Sequence, residues 1–360
     1  MRLAVAAAIV DGALLPGDVE IVDDRVTAVG LAGPGKGLAI PGLVDLQVNG
    51  FAGVDFAHAD APGYALASQQ LAAAGTTSFQ PTLVTASEHD LVRALGNTPG
   101  PRTLGSMGVH LEGPFLSPAR LGAHLSSARA DPDGALLDRL LAAGPVSQMT
   151  IAPELPGALE LIDRLHERGV IVSLGHSDAT RGEAAGAFER GVRTVTHLFN
   201  AMRPFSHRDP GIAGAALVRR DVLLQLIVDG QHLADDTVRL VWQAAAGRVA
   251  LVSDAIAAAG LGDGVSRVGP IEVSVRGGVA RRDDGVLAGS TGTLLGAVRN
   301  LAALGVPLVE AIGAATAVPA RIAGRPDLGV LRPGALADIV VLDDRLDLQS
   351  VLRAGARLRA

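Results

Sequence analysis

Val170-Ile-Val-Ser-Leu-Gly-His176 leads into a helix-forming stretch at 179–190, and that stretch leads into Arg193-Thr-Val-Thr-His197. An apolar strand, a helix and a second apolar strand in so short a span make one βα unit. Both strands stop on a histidine. Working outward, the same texture recurs at 44–48 before Asn49, 76–79 before Gln80 and 107–111 before Glu112. It returns at 148–153 before Glu154, 223–228 before Asp229 and 249–253 before Asp254. Eight apolar runs separated by helical stretches predict an α/β fold of the TIM-like (β/α)8 barrel type, whose chemistry gathers at the C-terminal ends of its strands. A core has no use for so many histidines and carboxylates at one end.

Helical periodicity is expected over 62–74, 88–95, 134–143, 156–168, 179–190 and 234–246, with 294–304 and 308–315 completing the outer layer. Residues 1–40 read instead as short strands at 3–10, 18–22 and 26–29, and strand-like texture returns at 337–342 and 350–354. The two ends are expected to meet, so that 1–40 and 325–360 build a small β-sandwich domain and 41–324 form the barrel. Residues 262–288 read as an inserted hairpin, with strands at 271–275 and 280–282 around a Gly277-Gly278 turn.

Composition narrows the function. The 360 residues carry a net charge of -6 with no basic run, and aromatics make up only 2%, which disfavours nucleic acid and anionic membranes as partners. There is no cysteine, so disulfides, thiol nucleophiles and thiolate metal sites are excluded, and a cytoplasmic location is expected. The apolar stretch 3–10 follows Arg2 but is broken by Asp11, and no cleavage site follows; it is read as a strand, not a leader. No apolar run is long enough to span a bilayer. The sole lysine, Lys36, precedes the first barrel strand, which removes Schiff-base, P-loop and carbamylated lysines from the barrel.

Glu112, His176 and His197 end the third, fifth and sixth expected strands. Three N/O ligands with one open position make a catalytic site for a divalent ion, here one per subunit. Zinc is the expected metal, and iron(II), cobalt(II) or manganese(II) suit the same donors. Such an ion lowers the pKa of bound water toward ~7, which would suit hydrolysis of an unactivated amide. Asp254, ending the eighth strand, faces the same mouth and can move a proton from water to a leaving amine. Aspartate in that place also caps helices, and the residue alone does not decide between the two.

Five segments together resemble a known family. Pro41-Gly-Leu-Val-Asp45-Leu-Gln47-Val-Asn49-Gly50, His110-Leu-Glu112-Gly-Pro114, Leu174-Gly-His176-Ser177, Thr196-His197-Leu-Phe-Asn200-Ala201-Met202 and Ser253-Asp254-Ala255 are similar to the N-acetylglucosamine-6-phosphate deacetylases of the amidohydrolase superfamily. The resemblance runs in order from about residue 41 to 340. It implies that Glu112, His176 and His197 hold the metal and that Asp254 is the catalytic acid/base. It implies that His124 is catalytic and touches the sugar near the acetyl carbonyl, with Ala123, Asn200, Ala201, Asp229 and the loop Leu287, Ala288 and Gly289 around the substrate. Arg208 and His232 would hold the 6-phosphate, His232 from the neighbouring subunit of a homodimer. Arginine's planar fork suits phosphate oxygens, although a surface arginine explains Arg208 equally well.

One departure stands out. Many amidohydrolases open the barrel with His-x-His for a second metal, and this chain has Gln47-Val48-Asn49 there. Amides are weak transition-metal ligands, which argues for a single ion. The remaining histidines have plainer readings: His58, His89 and His166 solvated, His110 in the core, and His207 open between surface and site. The expected reaction is hydrolysis of the acetamide of N-acetyl-D-glucosamine 6-phosphate to glucosamine 6-phosphate and acetate, a step of amino-sugar catabolism. The alternatives are another N-acetylhexosamine 6-phosphate, such as the galactosamine epimer, or an inactive scaffold that kept the barrel.

Overall fold

The computed structural model describes residues 1–358; Arg359 and Ala360, the end of the segment assigned to the small domain, lie outside the described residues. Its largest sheet has eight parallel strands paired in chain order. These are β1 (Leu43–Val48), β2 (Thr76–Val84), β3 (Val109–Glu112), β4 (Val146–Ile151), β5 (Ile171–Leu174), β6 (Thr194–Val195), β7 (Leu223–Leu226) and β8 (Val249–Leu251). The ring closes where Val48 pairs in parallel with Ala255 and the Asp254 amide donates to the Gln47 carbonyl at 3.0 Å. The expected barrel is present.

Helices Ala61–Ala73, Glu88–Asn97, Gly134–Ala143, Ala158–Glu167, Arg181–Glu189 and Asp235–Ala245 lie where periodicity placed them. Local chemistry starts several of them. Asp60, Ser87, Asp133 and Thr180 accept hydrogen bonds from first-turn amides, and Glu183 reaches back to the Thr180 amide in a capping box. Two helices escaped the periodicity. Gly211–Val218 reads Gly-Ile-Ala-Gly-Ala-Ala-Leu-Val and is apolar on every face, so it has no amphipathic signature. Ala317–Ile322 carries Pro319, which reads as a stop but here sits in the first turn, where its missing N–H costs nothing.

The barrel also corrects one strand end. β2 runs on to Val84, so Gln80 lies inside the strand and not at the mouth; its Nε2 donates to Ser147 Oγ at 2.9 Å. The strand expected from the sequence ends at Phe79, two residues before Pro81. Pro81 pairs with Val48 at the irregular stretch of the β1–β2 ladder, where a missing N–H is tolerated.

Alternate residues of β3–β7 face different surroundings. Val109, Leu111, Met149, Ile151, Val172, Leu174, Leu224 and Leu226 belong to the large core shared with helix residues such as Leu161 and Leu165. Their polar neighbours join in a hydrogen-bonded chain across the strands. His110 Nε2 meets Thr150 Oγ1 at 2.7 Å, Thr150 meets Thr196 at 2.7 Å, and Ser173 meets Thr196 at 2.6 Å. His110 is thus a core residue, and burial lowers its pKa to about 4.

The chain ends build one sheet together, in which Ala7–Val10, Ala13–Pro16 and Leu38–Pro41 join Ile339–Leu342, Leu348–Arg353 and Ala356–Leu358. Asp18–Val22 and Arg25–Leu31 form a second, two-stranded layer, and Val19, Ile21, Val26, Ala39, Ile339 and Leu352 fill the space between. The insertion after β8 has three strands, Gly264–Val268, Ile271–Arg276 and Val279–Arg281, not the two of a hairpin. Gly264–Val268 is mostly exposed, and Ser266 and Arg267 separate its two valines, which hid it from a search for apolar runs. Among the described residues no helix is long and apolar enough to cross a membrane.

Asp45 fastens the closing seam. Its Oδ1 accepts the amides of Gln47 at 3.3 Å and Ser253 at 3.1 Å, while Oδ2 is buried with no partner. Burial raises its pKa from 3.8 to about 7. A raised carboxyl favours the fold fully below its unfolded pKa, and that advantage is lost as pH climbs through about 7. Asp45→Asn keeps the accepting oxygen and removes the charge. Its resistance to urea relative to the parent is therefore expected to grow between pH 5 and 8, by on the order of a few kcal/mol. An equal midpoint shift at both pH values would contradict this.

Candidate active site

The strand ends bring Glu112, His176 and His197 to one point. Glu112 Oε1 lies 2.9 Å from His197 Nε2 and 3.1 Å from His176 Nε2, and the two nitrogens are 3.1 Å apart. All three side chains are buried. His176 Nδ1 donates to the Arg120 carbonyl at 3.0 Å, which leaves its Nε2 lone pair facing the cluster. Tetrahedral bonds of ~2.0–2.1 Å put ligand atoms about 3.3 Å apart, close to the observed spacing. The donor set therefore fits a divalent cation. Burial opposes ionisation of Glu112, but the imidazoles of His124, His176 and His197 gathered around it hold its pKa well below the usual carboxylate value. Burial lowers His176 to about 4, and the neighbouring His124 adds to that fall. Burial also opposes protonation of His197, yet contact with Glu112 raises its pKa.

Gln47 and Asn49 occupy the second-metal positions as hydrogen-bond donors. Gln47 Nε2 donates to Glu112 Oε1 at 2.9 Å, and Asn49 Nδ2 donates to Asp254 Oδ1 at 2.8 Å. Each amide steadies one buried carboxylate. Asp254 is buried, and its pKa is raised to about 6, first by burial and then by the charge of Glu112. It caps no helix; the next one begins at Leu294.

Three of these side chains sit on unusual backbone. His176 has φ 48°, His197 φ 28° and Asp254 φ 49°, the left-handed region that residues other than glycine seldom enter. The backbone leaves each strand in a sharp turn that aims the side chain over the barrel. Gly289, with φ 65°, lies against the turn at Asp254; a Cβ there would strike Ile256 and the Asp254 carbonyl.

Above the cluster is a cavity of about 370 Å³, lined by Glu112, His176, His197, Asp254, Asn49 and His124. Ala123, Asn200, Ala201, Leu287, Ala288, Gly289 and His232 line it too, as expected for substrate-facing residues. The Thr85 amide donates to His124 Nδ1 at 3.3 Å, so Nε2 carries the proton, 3.6 Å from Glu112 Oε2.

Two expected residues stand elsewhere. Asp229 is outside this cavity and orients His232, taking its Nδ1–H at 2.8 Å and its amide at 3.0 Å. Arg208 is exposed and absent from the lining, because Arg203 and Ser206 tie Asp209 down and turn the loop outward. His232, expected to serve the neighbouring subunit, lines the cavity of its own chain. His207 is exposed with Arg208, His58 and His89 are exposed, and His166 is half-buried against Gly191. Glu154, the fourth strand-end residue, binds Ser177 Oγ at 2.6 Å and the Asp178 amide at 2.7 Å, and so supports the turn after His176.

Sequence reasoning missed Arg281 and the apolar wall of Val268, Ile271 and Val286, all contributed by the insertion. The strand texture around 280–282 was legible, but nothing in it said which way the insertion folds.

A barrel that gathers a buried Glu–His–His cluster and a buried aspartate at the C-terminal ends of its strands is the framework of a metal-dependent hydrolase. Residues 38–357 match the Amidohydrolase family, and the chain belongs to it. The human N-acetylglucosamine-6-phosphate deacetylase is 39% identical over 343 residues, covering 89% of this chain and 83% of the human protein. The N-acetylgalactosamine-6-phosphate deacetylase of Escherichia coli O157:H7 is also 39% identical, over 334 residues that cover 88% of this chain and 87% of that protein. A variant of the N-acetyl-D-glucosamine-6-phosphate deacetylase from Mycobacterium smegmatis, solved with N-acetyl-D-glucosamine-6-phosphate, superposes with a TM-score of 0.94. It is 38% identical and covers 100% of this chain and 99% of its own.

Proposed function

We propose that this chain hydrolyses the acetamide of N-acetyl-D-glucosamine 6-phosphate to D-glucosamine 6-phosphate and acetate, as a cytoplasmic step in amino-sugar catabolism. The observation that carries the reading is the convergence of Glu112, His176 and His197 beside Asp254 in one cavity. In this reading 41–324 is the catalytic barrel, and 1–40 with 325–360 is the small domain.

Glu112, His176 and His197 would hold one divalent cation per subunit, zinc by preference. A bound cation acidifies water and polarises the acetyl carbonyl. Asp254 Oδ2, free of the Asn49 contact, takes the proton of the attacking water. His124 Nε2–H donates to the carbonyl oxygen as it gains charge, a contribution typically worth about 2.7–4 kcal/mol. Asp254 then gives its proton to the sugar nitrogen, and the C–N bond breaks. Asn200, Ala201 and the Leu287–Gly289 loop border the sugar, while Val268, Ile271 and Val286 exclude water from it.

The phosphate needs hydrogen-bond donors and positive charge. His232 serves within its own chain, and Arg208 reaches the phosphate in the other subunit of a homodimer, which accounts for its exposure. Arg208→Gln is expected to raise KM for the phosphorylated substrate by about tenfold or more and to leave kcat nearly unchanged. Mixing Arg208→Gln with Asp254→Asn subunits should regenerate sites of low KM. A mixture with no such sites would place Arg208 outside the neighbour's pocket.

The galactosamine epimer is a second reading, favoured by the equal identity of the Escherichia coli relative. Acetate release from both 6-phosphates and from unphosphorylated N-acetylglucosamine, with and without a chelator, tests both. Activity on the glucosamine 6-phosphate that a chelator abolishes is the expected result. Activity confined to the galactosamine 6-phosphate would select the second reading, and activity on neither would leave the barrel a scaffold.

A further inference from the structure

A cavity of about 800 Å³ lies apart from the one above the Glu–His–His cluster. It opens at the N-terminal ends of β2 and β3, between the barrel and the sheet made by the chain termini, and is bordered by Thr77, Ser106 and Ala335. Five arginines line it, namely Arg25, Arg102, Arg325, Arg332 and Arg353, against two aspartates, Asp327 and Asp338.

Asp327 is already committed, gripping Arg325 through paired contacts of 2.7 and 2.6 Å. Asp338 is mostly buried, accepts the Ala354 amide at 2.7 Å, and has its pKa raised by burial. Arg25 lies 3.6 Å from Asp24 and donates from Nη1 to the Gly334 carbonyl at 3.3 Å, and Arg332 reaches Asp11 at 3.4 Å. Arg353 comes from the terminal sheet and places Nη1 on Ser68 Oγ at 2.8 Å and on the Leu104 carbonyl at 3.3 Å, both belonging to the barrel. Its Nε and Nη2 form no hydrogen bond among the described residues, and it is half-buried. Arg102 stands on the loop before β3 and forms no side-chain hydrogen bond or ion pair among the described residues. The Asp327 carboxyl, whose pKa is lowered chiefly by its hydrogen bonds from Arg325, feels Arg102 only weakly. Positive charge thus exceeds negative within one concave space, in which Arg25, Arg102 and Arg332 are exposed and Arg353 is half-buried. The guanidinium of Arg102 and the Nε and Nη2 of Arg353 have no acceptor among the described residues, and ligand sites favour such seams between cores.

We propose that this cleft is a second binding site, for a compact anion with two or more negative charges, held by Arg102 and Arg353 and flanked by Arg25 and Arg332. A single phosphate would fill little of it, whereas a sugar bisphosphate or a tricarboxylate spans it. Because the arginines come from both the barrel and the terminal sheet, bound anion clamps the two together and raises the unfolding temperature.

The test is calorimetric titration of the metal-loaded protein at low ionic strength with fructose 1,6-bisphosphate and, separately, tricarballylate. A thermal-unfolding series accompanies it. His232→Gln removes an imidazole that lines the other cavity, and Arg102→Gln removes a cation from this cleft without touching catalysis. Binding of either probe that survives His232→Gln, weakens about tenfold or more in Arg102→Gln and raises Tm supports the site, and the tighter probe tells phosphate from carboxylate recognition. Arg353→Gln should weaken it likewise, but its ties to Ser68 and Leu104 make Arg102→Gln the cleaner variant. Absence of binding by both probes, or binding abolished by His232→Gln and indifferent to Arg102→Gln, overturns the proposal.

Discussion

Asp254→Asn is expected to lower kcat by about 10²–10⁴-fold, the range for loss of a positioned acid/base, while KM moves little. The substitution is close to isosteric. Its oxygen can still accept from Asn49 Nδ2, so the shape of the site should survive. What disappears is the ability to take a proton and return it. The wild-type group is suited to both tasks: burial and the nearby charge of Glu112 raise its pKa to about 6, near enough to neutrality for either direction. Bound-metal content should match the parent, which separates this loss from a damaged ligand set. Turnover within a few-fold of the parent would remove Asp254 from the chemistry.

Glu112→Gln should have an effect as large by another route. Glu112 Oε1 receives contacts from Gln47, His176 and His197 at 2.9, 3.1 and 2.9 Å, so the negative charge is the common partner of the whole cluster. A neutral amide is a weak ligand and would leave the imidazoles without that partner. Elemental analysis is expected to fall from one divalent ion per chain to almost none, and acetate release to background. Chelated parent protein should recover when metal is restored, and the variant should not. A variant that keeps both its metal and its turnover would show that Glu112 is no ligand.

Much of this centre was legible because a βα barrel puts function at a repeated place. Once 170–175 and 193–196 are read as strands, His176 and His197 must share a mouth, and Glu112 and Asp254 follow by the same rule. The rule misled at Gln80, which lies inside a strand that runs on to Val84, and at Glu154 and Asp229, which support neighbouring side chains instead. Roles that depend on loops were less visible. His124 stood out only by resemblance, and the Arg120 carbonyl that fixes His176 belongs to a backbone that no residue type advertises. Gln47 and Asn49 were read as ligands too weak for a second metal. That each would instead donate to a buried carboxylate depended on side-chain direction. Arg281 arrived with an insertion whose extra strand is mostly exposed and keeps its two valines apart, beyond the reach of a search for apolar runs.

The left-handed turns at His176, His197 and Asp254 set durability against catalysis in the same three peptides. Such dihedrals cost about 1–3 kcal/mol apiece in any residue with a Cβ, and glycine would relieve them. A barrel evolved or engineered only for heat resistance should therefore drift toward glycine at these corners and become tougher as it falls silent.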